Sequence, residues 1–472
     1  MNKYICVLCF LVLSNCSVNP VTGEQDFVLI SEEREIQMGK RYHSQILEQY
    51  PVYKDDSLQD YVQSVGDTLA KNSHRSNLVF RFTILDDPNI NAFALPGGYI
   101  YINRGLMSYL SSEEELAAVL AHEIGHVTAR HSVKQYSQAQ ILGILTTAVD
   151  YSYGSSVGNI VNLTSGALLA GYGREMELQA DGLGAQYIYT NGYDPMGMYR
   201  VLEVLKEQEI YSKDLLRKKG RPVQNYHGLF SSHPSNDSRL KEIISEAVVG
   251  VSQVNNSQQA NYLEKIDGLV FGDSEESGIR RGDGFFHKSL DIFLKKPYEW
   301  EIINLPNALI FNSPKEEATL EVTLDEKNYR ETPKEYLLRQ ISNIEFGEEI
   351  EINGFKGYLA KTLLYGKENI YAVIFRNDQI YKFYGFTKNK ALSVFEKDFK
   401  DIIFSFDKLT GAQKRLALPL KIQLHRVLKG DTYSSLAKNS PISFDAEAKL
   451  RLLNGDYPDG RLKIGRIIKV IE

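Results

Sequence analysis

Residues 122–126 read His122-Glu123-Ile124-Gly125-His126, two histidines four positions apart with a glutamate beside the first. On an α-helix, positions four apart lie one above the other, so both imidazoles can reach a single Zn²⁺. Glu123 then sits beside the metal's open position, where it can take a proton from bound water. A hydrolytic zinc centre needs three protein ligands and one open position, so a third must come from elsewhere. One known arrangement places it as a histidine six residues beyond the second, with a glycine between. Those places hold Ser132 and Ala129, which excludes it. His131 is five residues from His126, about 140° around a continuous helix, and reads as a surface or second-helix contact. The run Arg174-Glu175-Met176-Glu177-Leu178-Gln179-Ala180-Asp181 is the better source. Glu177 and Asp181 share a helix face, so Glu177 can bind the metal while Asp181 accepts a hydrogen bond from a ligating imidazole. Glu175 is the weaker candidate.

These residues need rigid elements to position them. Ser112-Glu113-Glu114-Glu115 has capping-box form and Leu116-Ala117-Ala118-Val119-Leu120-Ala121 is a strong helix former, so a buried helix should carry the histidines. Apolar spacing predicts helices near 32–50 and 55–72, a strand over 78–85, and a turn with a second strand over 91–102. The apolar runs 141–149 and 160–170 are too short and interrupted to span a bilayer, and read as core or groove-lining helices. A charged helix is expected near Arg174 and another near Ser235, closing a first domain around residue 250.

At 472 residues the chain holds about two or three domains. Its net charge of −6 supplies no basic surface, so nucleic acid is not an expected partner. The three cysteines stand at positions 6, 9 and 16. No thiolate is therefore placed to bind metal near the histidines, and any zinc must take imidazole and carboxylate. Residues 1–15 combine Lys3 with a short apolar run and read as a signal peptide. Leu13-Ser14-Asn15-Cys16 resembles a bacterial lipobox with Cys16 as the lipidated residue, although a smaller residue than Asn15 usually precedes that cysteine.

The expected organisation is multidomain α+β. A mainly helical zincin-type metallopeptidase domain with a small edge-strand sheet occupies 16–250, and a polar linker 251–261. A strand-rich α+β accessory domain follows over 262–415, with helices at 332–342 and near 391–402 and with Trp300 in its core. A small β-α-α-β unit closes the chain over 422–472.

The chain resembles the HtpX/BepA-like gluzincin metallopeptidases, relatives of the eukaryotic CAAX prenyl protease. The resemblance covers roughly residues 16–250. It rests on Asn19-Pro20-Val21-Thr22-Gly23, the segment 91–107, the HExxH helix, Glu177 with Asp181, and Ser232-His233-Pro234 followed by Arg239. It implies one Zn²⁺ per chain and protein or peptide substrates. It also implies that 91–102, with Asn91, Phe93, Pro96, Gly97 and Gly98, is an edge strand aligning substrate backbone. His233 takes the position of a loop histidine that covers the metal in a latent state or stabilises the oxyanion in an open one. Arg239 would neutralise Glu177 or Asp181, or face the oxyanion; His227 is a weaker alternative to His233. Lacking convincing transmembrane helices, the chain is closest to the periplasmic lipoprotein branch, anchored at the outer membrane. The C-terminal unit resembles a LysM domain through Gly430-Asp431-Thr432, Asn454 and Gly465, which implies peptidoglycan as a partner. The expected function is a zinc endopeptidase in quality control of envelope proteins. The alternative is a periplasmic chaperone or scaffold with latent protease activity, and a peptidoglycan-processing enzyme is a third reading.

Overall fold

The computed structural model describes residues 16–28, 30–150, 172–218, 256–327, 330–341, 344–364 and 366–472. The chain divides into two units, Met1–Phe271 with Lys421–Glu472, and Gly272–Leu420. Among the described residues no helix is long and apolar enough to cross a membrane.

In the first unit, β1 (Cys16–Val18) and β2 (Gln25–Phe27) form a two-stranded ribbon. Helices α1 (Glu32–Gln49) and α2 (Asp56–Lys71) follow. A three-stranded sheet then forms from β3 (Arg81–Leu85), β4 (Ala92–Leu95) and β5 (Tyr99–Asn103), in the order β3-β5-β4. β5 is parallel to β3 and antiparallel to β4, so β4 is hydrogen-bonded on one side and lies at an edge. Next come α3 (Arg104–Tyr109), α4 (Glu113–Thr128) and α5 (His131–Asp150). Later helices are α6 (Arg174–Thr190), α7 (Met196–Lys218) and α8 (Asn256–Ile266).

α4 is the hub. Every residue from Glu114 to Thr128 is buried, and its weak amphipathicity follows from neighbours on all sides. Ser112 caps it, its Oγ accepting from Glu115 N at 3.3 Å. The glutamate's own carboxylate accepts from Ser111 N at 2.7 Å, one residue earlier than a capping box requires.

β6 (Val270–Phe271) stands beside β17 (Leu420–Arg426), which pairs antiparallel with β18 (Ile467–Ile471), in a sheet of order β18-β17-β6. The expected boundaries shift for this reason. Residues 256–261, given to the linker, start α8, and 262–271 belong to the first unit. The segment 422–472 also folds into that unit, through strand pairing across a sequence gap that composition does not register.

The second unit carries the small sheet β7 (Ile279–Arg281), β8 (Gly284–His287) and β9 (Ile292–Lys295). Its main sheet contains β10 (Glu301–Leu305), β11 (Ala308–Asn312), β12 (Ala318–Glu326), β13 (Ile344–Ile352), β14 (Phe355–Leu364), β15 (Lys367–Arg376) and β16 (Gln379–Thr387). All its neighbours are antiparallel, in the order β10-β11-β12-β16-β15-β14-β13. Helix α9 (Pro333–Gln340) packs Tyr336 and Leu337 on one apolar cluster. Helix α10 (Glu396–Phe404) packs on a larger one with Trp300, Phe311 and Phe383. A short helix, α11 (Gly411–Leu416), precedes β17. Between β17 and β18 lie α12 (Tyr433–Asn439) and α13 (Ala446–Leu453), the β-α-α-β order read from the sequence.

Candidate metal centre

α4 presents His122 and His126 one turn apart, and α6 crosses it closely enough to bring Glu177 to both. Two glycines allow that approach. A Cβ on Gly125 would stand 2.9 Å from Ala180 O, and one on Gly184 would stand 3.1 Å from His122 N. Either would push the helices apart.

His122 Nε2 and His126 Nε2 are 3.0 Å apart. Glu177 Oε2 lies 3.6 Å from the first and Oε1 3.5 Å from the second. One ligand atom from each of the three residues falls within 4.8 Å of the others. Tetrahedral zinc with bonds of about 2.0–2.1 Å sets ligand atoms about 3.3 Å apart, and the observed separations fit that requirement. The outer ring nitrogens fit it too. His122 Nδ1 lies 2.9 Å from Asp181 Oδ1, which leaves its Nε2 to face the cluster.

Burial is severe: relative exposure is 6% for His122, 1% for Glu123, and 0% for His126 and Glu177. Three carboxylates, Glu123, Glu177 and Asp181, are buried together here, an arrangement that costs free energy unless cations or hydrogen bonds compensate it. A divalent cation among the two imidazoles and Glu177 meets that need.

Two further residues complete the surroundings, and sequence reading placed neither of them there. Tyr172, just ahead of α6, stacks on His126 with ring centroids 3.9 Å apart, and its hydroxyl meets Ser132 Oγ at 2.6 Å. Burial raises the Tyr172 hydroxyl pKa, and the Glu123 and Glu177 charges add to the rise, so it stays protonated. His131 is fully buried, its Nδ1 2.8 Å from His126 Nδ1. The expected 140° offset fails because α4 ends at Thr128 and Arg130 takes a left-handed φ of 56°. The turn restarts the helix as α5 and swings His131 back over His126. That backbone is held by Arg130 Nε on Glu35 Oε2 at 2.9 Å and by a second guanidinium nitrogen on Ile30 O at 3.2 Å. Arg75 grips the other Glu35 oxygen at 2.6 Å and also donates to Val127 O. Burial pushes the His131 imidazole down to about 4, against a hydrogen bond to Gln179, so the ring is neutral at pH 7.

Glu175, the weaker ligand candidate, is exposed. Asn91 and Phe93 are half-buried on the edge-strand side of the sheet. Pro96, Gly97 and Gly98 are buried; Pro96 and Gly97 lie against α1, where a Cβ on Gly39 would run into Pro96 O, whereas Gly98 packs against Leu78 and Val79. Cys16 opens β1. His227, His233, Arg239 and the runs 1–15 and 160–170 lie outside the described residues.

The far end of α4 is held by the C-terminal strand. Lys469 on β18 is buried and donates through Nζ to Ser108 O at 2.8 Å and Leu110 O at 2.6 Å, at the α3–α4 junction. Burial lowers its pKa to about 7, against the pull of Glu115 in the first turn of α4. Arg200 of α7 reaches the same glutamate at 3.5 Å.

Comparison with known proteins matches residues 56–247 to the family model described as Peptidase family M48. The Beta-barrel assembly-enhancing protease of Escherichia coli (strain K12) is 30% identical over 258 residues, covering 52% of this chain and 50% of that protein. The protein of the same name from Yersinia pestis is 31% identical over 235 residues, 47% of this chain and 46% of the other. The Mitochondrial metalloendopeptidase OMA1 of Schizosaccharomyces pombe is 26% identical over 231 residues, 48% of this chain and 64% of the other. The chain spans about half the length of the bacterial relatives it matches.

Proposed function

We propose that the chain is a zinc-dependent endopeptidase of the bacterial cell envelope, acting on misfolded or misassembled envelope proteins. One observation carries the reading: His122 Nε2, His126 Nε2 and a Glu177 oxygen converge, with Glu123 next to the first imidazole on the same helix. His122, His126 and Glu177 would hold a zinc ion, which would supply a Lewis acid for the scissile carbonyl and lower the pKa of the attacking water. Glu123 accepts the water's proton and delivers it to the leaving amine. Asp181 holds the His122 ring, and the tyrosine stacked on His126 shields that face from water. Substrate backbone aligns along β4, adding a strand at the free edge beside Asn91 and Phe93.

On the family resemblance, His233 covers the metal in a latent state or stabilises the oxyanion in an open one, and Arg239 neutralises Glu177 or Asp181 or faces the oxyanion. Cys16 anchors the chain by lipid to the outer membrane, and the β-α-α-β unit with Gly430, Asn454 and Gly465 is a LysM-like contact to peptidoglycan. The residues given to the anchor and the glycan contact are not those of the catalytic set, so each role is separable by substitution.

The test of the chemistry is Glu123→Gln. The variant keeps its zinc and loses proteolysis of an unfolded protein substrate by a factor on the order of 10²–10⁴. Cleavage at the wild-type rate by a zinc-loaded variant sinks the mechanism.

A further inference from the structure

We infer that His131 and Gln179 form a hydrogen-bonded bracket that sets the tautomer and orientation of His126 as a ligand; this rests on the metal-centre reading above. The chain of contacts is short. His126 Nδ1 is 2.8 Å from His131 Nδ1, and His131 Nε2 is 2.9 Å from Gln179 Oε1. An amide oxygen only accepts, so His131 Nε2 carries the hydrogen between them. A neutral imidazole has one N–H, which makes His131 Nδ1 an acceptor. His126 Nδ1 must then donate to it, and His126 Nε2 keeps its lone pair. That lone pair is on the side where His122 Nε2 stands 3.0 Å away and Glu177 Oε1 3.5 Å away. With the Gln179 amide rotated to present its NH₂ group, every donor in the chain would reverse. His126 Nε2 would then hold a hydrogen and could not ligate. The setting of one amide thus decides whether the imidazole is a ligand.

The arrangement also explains why the two histidines are held differently. α6 supplies Glu177 to the cluster, Asp181 to His122 directly, and Gln179 to His126 through His131. A carboxylate in the Gln179 role would bring a further negative charge towards a centre already burying Glu123, Glu177 and Asp181. A neutral imidazole and a neutral amide transmit the same orientation without it. His131 is therefore a positioning residue, and Arg130's left-handed turn is what delivers it.

The experiment titrates metal-stripped full chain with Zn²⁺ against a chromophoric chelator, and records the visible spectrum with Co²⁺. Wild type binds one equivalent; a wild type that binds none ends the metal-centre reading itself. Given wild-type binding, His131→Leu and Gln179→Met each lower Zn²⁺ affinity about 10- to 100-fold and shift the Co²⁺ bands, with the far-ultraviolet circular dichroism of the apo chain unchanged. His131→Asn, whose Oδ1 replaces Nδ1 as acceptor, recovers most of the affinity. A packing role alone would not separate Asn from Leu, so equal loss in the two overturns the bracket. Wild-type affinity and spectra in both His131→Leu and Gln179→Met overturn it too. Should His131→Leu not fold, Gln179→Met at its half-buried position carries the same decision.

Discussion

The two units bury different kinds of atoms. The first unit encloses Glu35, Arg75, Arg104, Glu115, Arg130, Lys469 and the whole candidate metal-centre set. The second unit encloses Trp300, Phe311, Leu320, Phe383, Phe399 and Phe406, and among its described residues Arg376 is the one buried charged side chain. Burying charge costs several kcal/mol per ion before pairing, and apolar residues of like volume serve stability as well or better. The apolar unit shows the cheaper way to hold a sheet together. Charges persist in the first unit where they hold α4 at its two ends: Arg75 and Arg130 on Glu35 at one, Lys469 at the other. Polar burial here buys position for a site rather than stability.

The single tryptophan makes the contrast measurable, because Trp300 lies in the core of the second unit and its fluorescence reports that unit. The largest effect is expected from Glu177→Ala, which removes a proposed ligand. Zinc retention should fall by more than the roughly 100-fold upper range for outer hydrogen-bond partners, and undiminished zinc in the purified variant takes Glu177 out of the site. Phe311→Ala follows, costing about 3–5 kcal/mol by leaving a cavity. It should move the Trp300 transition in denaturant and leave Zn²⁺ affinity alone. Glu35→Ala should do the reverse. It removes the buried carboxylate that Arg75 and Arg130 share, at about 3–5 kcal/mol, and weakens metal binding through the Arg130 turn. The Trp300 transition should stay in place, and a Trp300 transition that moves with Glu35→Ala means the units unfold together and erases the contrast. The smallest effect is expected for Lys469→Met. It leaves the Ser108 and Leu110 carbonyls without their donor, at about 1–3 kcal/mol, read as a lower unfolding midpoint by circular dichroism.

What the chain disclosed beforehand was what depends on local spacing. The i, i+4 rule found His122 with His126 and Glu177 with Asp181, because each pair sits within one uninterrupted helix. Of the surface and second-helix alternatives for His131 the surface one fails, and its contact with His126 was missed because Arg130 breaks the phase, and a left-handed arginine is held by Glu35, nearly a hundred positions away. Tyr172 was silent for a similar reason: a lone aromatic before a helix carries no periodic signal, and its stacking on His126 is tertiary. The strand-rich texture of 262–415 foretold an α+β module but not the strand order, since neighbours β12 and β16 are far apart in sequence. The union of 422–472 with the first unit depends on β17 lying beside β6, which no composition shift announces.

That pairing makes the second unit an insertion, since the chain leaves the first unit after β6 and rejoins it at β17. On the ribosome the two histidines and Glu177 therefore emerge early, while Lys469 appears only after the whole inserted unit has been made. Domains generally fold as they are synthesised, amino-terminal parts first. For that interval the Ser108 and Leu110 carbonyls wait without the ammonium that later seals them. The inserted unit acts as a timer: the helix that bears the proposed zinc site gains its last brace only when the rest of the chain is complete to β18.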